Sequence, residues 1–487
     1  MKFKRIFAAA MSLCMAAPML AIQSPADVSA DVTFMGDANN DGEFTIADAV
    51  MTQKWIIGSG ELDNWENVDF CKDNVIDSFD LNIMCKELVK QGVVIPPEFF
   101  AKNLSDGIKS AEVSGAEADS EFILGQTEFA LEMMKREISD DTNTLISPYS
   151  VMQALAMTAN GADGETKAEM EKVLGGMSID RLNKYLYTQR VSQPDGESCK
   201  LSTANSIWSR DAEGLFTVNH DFLQKNADYY GADFFAAPFD STTVKDINNW
   251  VSEKTDKMIT ELVKDISPYT LMYLINAVAF DAKWLEPYME NDVADSYFTD
   301  YKGDVQTARM MYSTEPFYLE GENAEGFMKF YSGRRYAFAA ILPDEGIALS
   351  DYINSLTADE LNRILSEPQI TDVSAGLPKF EYDFDTKLNE TLKDMGMPAA
   401  FAPEEADFTK MAAIDGHFYI SSVIHKTHIE VTEAGTRAAA VTGVELSTDS
   451  IKPVPDKKII LNRPFIYAIV DTETHLPVFL GTVGSVE

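Results

Sequence analysis

A run of small residues near the C-terminus, EAGTRAAAVTGVELSTDS (433–450), constrains the fold more than any other segment. Three consecutive alanines favour a helix, but the neighbouring threonines, valines and glycine weaken that preference. Read as a strand, the segment places alternate side chains on opposite faces. The even-numbered set is uncharged and begins with small residues: Thr436, Ala438, Ala440, Thr442, Val444, Leu446 and Thr448. The odd-numbered set carries every charge: Arg437, Ala439, Val441, Gly443, Glu445, Ser447 and Asp449. The segment therefore suits a strand with one buried and one solvent-facing side.

The surrounding sequence predicts an α+β domain. Four nearly all-apolar runs are typical of strands that are covered on both faces. They are LMYLINAVAFDAKW, YAFAAILP, PFIYAIVD and PVFLGTVGSV. Helical patterns such as EFILGQTEFALEMMKREI occur without the regular strand–helix alternation of a parallel α/β fold.

Length and charge limit the possible functions. A chain of 487 residues is expected to form two or three units. Its formal net charge of −38 argues against binding to nucleic acid or to anionic membranes. After the N-terminal segment, no apolar run approaches the ~20 residues that a membrane helix needs, so we expect no membrane insertion.

The N-terminus is typical of an export signal, which we assign to residues 1–30. Lys2, Lys4 and Arg5 precede the short apolar run IFAAAMSLCMAAPML, and VSA before Asp31 offers small residues for cleavage. We therefore expect a secreted, extracellular protein. Cleavage would leave three cysteines, Cys71, Cys85 and Cys199. A Cys71–Cys85 disulfide and a buried Cys85 thiol are both compatible with the sequence.

An acidic loop, GDANNDGEFTIADAV, follows the signal and has the spacing of a calcium site. Read from Asp37, the positions that a calcium loop uses are occupied by Asp37, Asn39, Asp41, Gly42, Glu43, Thr45 and Asp48. Calcium is a hard cation that prefers oxygen ligands at such alternating positions, and glycine makes the sharp turn. Glu43 would contribute its backbone carbonyl.

A second loop, DFCKDNVIDSFD, repeats the pattern from Asp69. Its ligand candidates are Asp69, Asp73, Asp77 and Asp80. Cys71 occupies the third position and Asn74 replaces the turn glycine, a residue that also tolerates the left-handed conformation. The cysteine predicts weaker or different coordination, and a loop without metal remains an alternative.

Each loop leads into a helical pattern, as in LNIMCKELVK, where Leu81, Met84, Cys85 and Leu88 share one face. Two such loop–helix units resemble a dockerin over residues 31–91. The resemblance implies calcium-dependent binding to a cohesin module of a bacterial scaffold, as in cellulosomes. A free-standing calcium sensor is disfavoured, because the residues before Asp37 are too few for an entering helix. Residues 92–119, which include Pro96 and Pro97, are predicted to be a linker.

Six stretches of the remaining chain, taken together, resemble the serpin family of protease inhibitors. They are NTLISPYSVMQALAMTANGADGET (143–166), INNWVSEKTDKMITELV (247–263), LINAVAFDAKWLEPY (274–288), EAGTRAAAVT (433–442), NRPFIYAIVD (462–471) and PVFLGTVG (477–484). They occur in the family's order and assign residues 120–487 to a serpin domain. The resemblance implies a large central β-sheet, further sheets, about nine helices and an exposed reactive loop.

The resemblance also implies a mechanism for the opening segment. A serpin exposes its loop as bait, and a protease that cleaves the loop and forms an acyl-enzyme is trapped when the loop inserts as a new strand. The implied hinge comprises Glu433, Gly435, Thr436, Ala438, Ala439, Ala440 and Thr442. The implied shutter, a polar network beneath the parting strands, comprises Ser147, Ser150, Asn276 and His425.

Enzymatic function is disfavoured. The chain has five histidines and contains no GxSxG, HExxH or phosphate-loop motif. A dockerin-borne hydrolase is therefore the weakest of three hypotheses. The leading one is a scaffold-docked inhibitor of serine proteases. Non-inhibitory serpins typically carry bulky, charged or proline residues on the inserting face, whereas this chain has small, uncharged residues there, from Thr436 to Thr442. A non-inhibitory binding or carrier protein on the same fold is the alternative.

We predict that the protease cuts between Asp449 and Ser450, the bond reached by counting from the hinge. Asp449 would favour a protease whose specificity pocket offers a cation, because an unpaired carboxylate is costly in an apolar pocket. Subtilisin-like or elastase-like proteases could instead cut after Val444, Leu446 or Thr448. Mass spectrometry of the released C-terminal peptide measures this directly, and we expect it to begin at Ser450.

A C-terminal peptide that begins at Glu445, Ser447 or Asp449 would instead show that the protease cuts after the residue directly before it. Asp449→Ala provides the second arm of the test. It should abolish inhibition of an acid-preferring protease and leave inhibition of broad-specificity proteases unchanged.

Overall fold

The structure, a computed structural model, describes residues 35–41, 43–62, 64–90, 99–211, 216–267, 270–414, 418–436, 455 and 457–486. The predicted signal peptide (1–30) therefore lies outside the described residues. So does the bait segment that follows Thr436. The chain divides into two compact units between Phe100 and Ala101.

The described residues of the first unit form three helices: α1 (Ile46–Ile56), α2 (Trp65–Val68) and α3 (Ser78–Lys90). Thr45 caps α1 by accepting the Ala47 amide, and Asp48 completes a capping box in the first turn. The small core includes Ala38, Val68, Ile76 and Met84. The small all-α module expected from the sequence is confirmed.

The second unit contains nine α-helices among its described residues. They are α4 (Ser120–Glu137), α5 (Pro148–Ala159), α6 (Gly164–Val173), α7 (Ile179–Val191), α8 (His220–Tyr230), α9 (Ser241–Lys254), α10 (Leu349–Ser355), α11 (Ala358–Ser366) and α12 (Asn389–Met395).

Nineteen strands complete the described part of this unit. The first ten are β1 (Lys102–Asn103), β2 (Leu145–Ile146), β3 (Asp195–Gly196), β4 (Cys199–Arg210), β5 (Phe216–Val218), β6 (Asp233–Ala237), β7 (Met272–Lys283), β8 (Val293–Thr299), β9 (Val305–Gly321) and β10 (Ala324–Phe330). The other nine are β11 (Tyr336–Pro343), β12 (Gln369–Pro378), β13 (Phe380–Lys387), β14 (Ala412–Ile414), β15 (Ile424–Val431), β16 (Gly435–Thr436), β17 (Lys457–Ile460), β18 (Phe465–Asp471) and β19 (Pro477–Val483). The predicted α+β class is confirmed.

The central sheet positions the candidate site. Its strands lie in the order β1-β6-β4-β7-β16-β15-β13, and β3 pairs with β4. The short β16 is antiparallel to both β7 and β15, so these two long strands run parallel to each other. A strand that continues β16 between them would therefore run antiparallel to both, the direction in which the chain returns after β15.

A second sheet supplies much of the core. Its order is β17-β12-β9-β10-β11-β18-β19-β2, with β8 on β9. Every residue of β11, β18 and β19 is buried. The sequence prediction that these apolar runs are covered on both faces is confirmed. A third, two-stranded sheet joins β5 and β14.

Part of the predicted linker belongs to the second unit. Within the predicted range 92–119, β1 pairs with β6, and the backbone amide of Ala101 donates to Asp246 Oδ2 at 2.6 Å. The Ala111 amide donates to Asp228 Oδ1, and the Ala116 amide donates to the Lys184 carbonyl. Residues 101–119 therefore differ from an unstructured linker, because side-chain and backbone acceptors of the larger unit bind their amides.

Two further expectations can be compared with the structure. Cys71, Cys85 and Cys199 are free thiols, and Cys199 is buried. Within the described ranges, no helix combines the length and apolarity required to cross a membrane.

Candidate functional site

The hinge begins with a tight turn that returns the chain into the central sheet. β15 ends at Val431, the Thr432 amide donates to the Gly435 carbonyl at 2.9 Å, and Thr436 then pairs with both Val431 and Ala282. A β-carbon at Gly435 would lie 2.1 Å from the Ala282 carbonyl oxygen. Glycine is therefore needed where the hinge enters between the two strands.

Two aromatic residues after β7 hold the turn. The Trp284 amide donates to the Ala434 carbonyl, and the Tyr288 amide donates to the Glu433 carbonyl, each at 3.0 Å. The Trp284 indole Nε1 donates to the Thr432 carbonyl at 2.9 Å. Three consecutive carbonyls of the turn are thus bound by this one segment.

An ion pair also fixes the hinge. Lys379 Nζ lies 2.8 Å from Glu433 Oε2, and both side chains are about one-third exposed. Burial opposes ionisation of Glu433, but hydrogen bonds from Lys379 and from its own backbone amide outweigh it and lower the pKa of the carboxyl. The glutamate therefore stays charged and paired at neutral pH.

Thr436 is the last hinge residue that the structure describes. Its side chain is buried, and its Oγ1 lies 2.5 Å from the Tyr331 hydroxyl oxygen. The Tyr331 ring stacks on Trp284 with centroids 4.4 Å apart. Thr436 thus faces the core, whereas the predicted hinge residues Ala438, Ala439, Ala440 and Thr442 lie outside the described residues.

A cavity of about 360 Å³ lies further along the two strands that flank β16. Residues Met272–Val278 of β7 line one side, and Ile424–Thr427 of β15 line the other. Ser147 and Ser150 contribute to the lining as well. The described residues thus enclose a space lined by two parallel strands, and its β7 lining begins at Val278, four residues from the Ala282 that pairs with Thr436.

The four predicted shutter residues come together at this cavity. The Ser147 amide donates to His425 Nε2 at 3.0 Å, the Ser150 amide donates to Ser147 Oγ at 3.3 Å, and Ser150 Oγ donates to Asn276 Oδ1 at 2.5 Å. Ser147 Oγ donates to the Val478 carbonyl. The bonds from His425 and Asn276 connect β15 and β7 to the start of α5, so they are the ones that change if the two strands part.

The polar network extends further than the sequence indicated. Asn276 Nδ2 donates to Asn205 Oδ1 at 2.6 Å, and Asn205 Nδ2 donates to Gln153 Oε1 and to the Tyr230 carbonyl. Sequence analysis also missed Tyr331 and Lys379. Trp284 could have been found from the sequence, because it ends the apolar run LMYLINAVAFDAKW. No periodicity marks the others.

The predicted scissile residues Asp449 and Ser450 lie outside the described residues. The same holds for the alternatives Val444, Leu446 and Thr448. Their placement remains a prediction from sequence counting.

The first acidic loop closes around buried carboxylates. Asp48 accepts the amides of Ala38 and Thr45, each at 2.8 Å, and Asp37 accepts the amide of Asp41 at 3.1 Å. Asn39 and Asp41 also accept amides within the loop. Gly42 lies outside the described residues.

The second loop repeats this arrangement. Asp80 accepts the amides of Cys71 and Asp77, and Asp69 accepts the amides of Asp73 and Asn74. Asn74 has φ of 62°, which confirms the left-handed conformation expected at the glycine position. Side-chain oxygens of Asp69, Asp73 and Asp80 lie within 4.8 Å of one another.

The donor sets of the two loops differ in how well they fit calcium. The first offers oxygen from Asp37, Asn39, Asp41 and Asp48, with Glu43 available through its carbonyl, and this set fits a hard cation. The second has Asp69, Asp73, Asp77 and Asp80 but places the exposed Cys71 thiol at the third position. Sulfur is a poor calcium ligand, so the second set fits less well.

Comparison with known proteins identifies both units. Residues 124–486 match the family described as Serpin (serine protease inhibitor), and residues 35–89 match the Dockerin type I domain. The fold and the hinge define a serpin with an N-terminal dockerin. This chain belongs to the serpin family.

Relatives of the serpin unit come from distant organisms. A serpin-like protein of Thermococcus kodakarensis is 31% identical over 72% of this chain and 83% of its own length. Leukocyte elastase inhibitor A of Mus musculus is 30% identical over 74% of this chain and 98% of its own.

Two solved structures are similar to this chain. The thermophilic serpin tengpin in its native state is 51% identical, with a TM-score of 0.75 and coverage of 79% of this chain and 99% of its own. Human thyroxine-binding globulin with thyroxine is 26% identical, with a TM-score of 0.66 and coverage of 75% and 98%. Serpins are mostly protease inhibitors and not enzymes, and type I dockerins generally bind calcium and imply a cohesin partner.

We expect His425 to make stability depend on pH. Burial lowers the pKa of His425 to about 4, whereas an unfolded histidine titrates near about 6.5. The neutral ring accepts the Ser147 amide, and a proton on Nε2 would remove that bond. Stability is therefore fully present above pH ~6.5 and is lost as the pH falls toward ~4, by about 2 kcal/mol between pH ~7 and ~5.

Denaturant unfolding of wild type and His425→Asn at pH ~7 and ~5, followed by tryptophan fluorescence, measures the loss of stability that comes from His425. The variant should show the smaller loss on acidification, and the exposed His220→Asn should behave as wild type. Equal pH dependence in wild type and His425→Asn would contradict the assignment.

We also expect calcium removal to act on the first unit alone. Without a cation, the converging carboxylates repel, so a chelator should unfold this unit and abolish cohesin binding. The second unit should keep its own unfolding midpoint. Docking that persists in excess chelator would contradict the prediction.

The two calcium loops can be ranked by isothermal titration of the full chain. Asp37→Ala should weaken calcium binding more than Asp69→Ala, because the first loop has the better oxygen set. Glu61→Ala, an exposed carboxylate outside both loops, is the control. A larger loss in Asp69→Ala would reverse the ranking.

Proposed function

We propose that this protein is a secreted inhibitor that traps serine proteases by inserting its cleaved reactive loop into the central sheet. In this proposal, the dockerin binds a cohesin in the presence of calcium and holds the inhibitor on a bacterial scaffold of the cellulosome type. The observation that carries the inhibitory part is a hinge that already pairs with both β7 and β15, together with a cavity that the same two strands line further along.

The register of the hinge supports the assigned faces of the inserting segment. Thr436 pairs with Ala282 and Val431. Continued at that register, Thr442 would lie between Asn276 and His425, the two shutter residues on opposite sides of the gap. The strand would extend to Leu446, opposite Met272 at the beginning of β7.

The even-numbered set would then face the core. On β15, His425, Thr427, Ile429 and Val431 are buried and the residues between them are half-buried. Thr436 shares the buried side with Val431. The next even-numbered positions include Ala438 and Ala440. Because these side chains are small, the core would not have to make room for large groups as the strand enters.

The free energy of insertion is large enough to distort a bound protease. Ten inserted residues add on the order of ten backbone hydrogen bonds, each worth about 1 kcal/mol net. Burial of Val444 and Leu446 adds roughly 1.5–3 kcal/mol each. The sum is comparable with the ~5–15 kcal/mol that stabilises a typical folded domain.

The target and the location are inferred from other features. Similarity to leukocyte elastase inhibitor A favours an elastase-like protease, and a subtilisin-like protease is the alternative target. The N-terminal signal and the dockerin favour an extracellular, scaffold-associated or cell-surface-associated protein. Calcium supplies the charge that holds the dockerin carboxylates together, and inhibition itself requires no cofactor.

The alternative is a non-inhibitory carrier, because thyroxine-binding globulin has the same fold. A denaturing gel after incubation with a panel of serine proteases separates the two functions. A stable covalent band at the summed mass supports trapping. Cleavage of the loop without such a band supports the carrier.

We expect Thr436→Arg to convert the inhibitor into a substrate. The arginine would replace a buried hydroxyl that contacts Tyr331, and an unpaired buried guanidinium costs several kcal/mol. Strand entry should slow while hydrolysis continues, so the loop is cleaved and the covalent band disappears.

Arg437→Thr is the matched control, because its position in the alternation faces outward. It should leave the amount of covalent complex nearly unchanged. Equal loss of complex in both variants would show that the assigned faces are wrong.

A further inference from the structure

A buried ion pair lies behind the two residues that hold the hinge. Lys329 in β10 and Glu315 in β9 approach to 2.8 Å between Nζ and Oε1, and their side chains are only 3% and 8% exposed. Ser313 Oγ donates to the same carboxylate oxygen at 2.6 Å. Both charges are therefore desolvated and paired with each other.

The ammonium group also faces two aromatic rings. Lys329 Nζ lies 4.3 Å from the ring centroid of Tyr288 and 5.6 Å from that of Trp284. A cation over a ring face is attracted by the ring quadrupole, and the attraction is strongest where water is excluded. Lys329 therefore contacts both rings from within the core.

Those rings belong to the residues that bind the hinge. The Trp284 and Tyr288 amides donate to the carbonyls of Ala434 and Glu433. Leu285, between them, donates its amide to the Phe330 carbonyl, which follows Lys329 directly in β10. The ion pair is thus connected to the hinge by two ring contacts and by the adjacent backbone.

We propose that Lys329, held by Glu315, is a positioning residue for the hinge. It fixes Trp284 and Tyr288 so that their amides keep Gly435 and Thr436 inside the sheet, where insertion begins. The effect on trapping rests on the proposed inhibitory function. The effect of Lys329 on the order of the hinge is independent of that function.

A buried pair can also act on stability alone, and paired substitutions separate the two roles. Removing one partner leaves an unpaired buried charge and destabilises the protein strongly. Replacing both partners with apolar residues of similar size is often neutral or stabilising. Lys329→Met/Glu315→Leu therefore removes the cation while it spares stability, and Lys329→Arg keeps the cation.

Amide hydrogen exchange of the full chain in calcium, followed by mass spectrometry, reads the hinge directly. The reporter is the peptide that carries the Trp284 and Tyr288 amides, and a peptide from β18 is the internal reference. In the double variant, the midpoint of thermal unfolding should stay near that of wild type. Exchange of the reporter should become faster on the order of tenfold, the scale of a desolvated cation–ring contact. Lys329→Arg should exchange as wild type does.

The double variant should also consume more inhibitor molecules per trapped protease, because a hinge that leaves the sheet lets hydrolysis outrun insertion. Reporter exchange equal to wild type in the double variant would overturn the positioning role. If wild type traps no protease, the proposed function fails, and the exchange measurement still decides the role of Lys329.

Discussion

The parallel orientation of β7 and β15, with room for a strand between them, is the constraint on which the rest of the structure depends. Parallel neighbours in a sheet would normally pair with each other or with a strand that completes the ladder. Of the residues that the structure describes, Gly435 and Thr436 occupy the interval, and a cavity further along is lined by both strands. Within the described part of the chain, a strand position beyond Thr436 is therefore open in the central sheet.

Two groups of contacts keep that position open, and they differ in chemistry. At the upper end, Trp284, Tyr288 and Lys379 bind the turn before β16 through its carbonyls and through the Glu433 carboxylate. At the lower end, neutral polar side chains around Asn276 and His425 connect the strands to α5. Neutral hydrogen bonds can exchange partners at modest net cost, whereas an ion pair that loses one partner leaves a costly charge. The lower network therefore suits a region that must open, and the upper one a region from which insertion starts.

In the dockerin, single acidic residues have more than one structural role. Asp48 and Asp80, the last residues of the two acidic loops, each accept two backbone amides that span their own loop. Asp48 also completes the capping box of α1. Both carboxylates thus shape their loop and offer oxygen to a cation, and Asp48 also begins a helix, so we expect a change at Asp48 to affect folding and calcium binding together.

The sequence by itself determined the two units, the α+β class, the all-buried strands and the loop–helix repeats, because periodicity and ligand spacing are local properties of the chain. It also assigned Gly435 and Thr436 to a hinge through resemblance and alternation. Only the tertiary structure brought Trp284, Tyr331, Lys379 and the Lys329–Glu315 pair to that hinge, because these residues come from strands and loops far apart in sequence. It likewise placed residues 101–119 on the larger unit, since their amides are bound by acceptors such as Asp246 that no local pattern reveals. The alternation of side chains along a strand can be inferred from the sequence, but the partners of a buried charge or hydroxyl depend on which strands become neighbours in the fold.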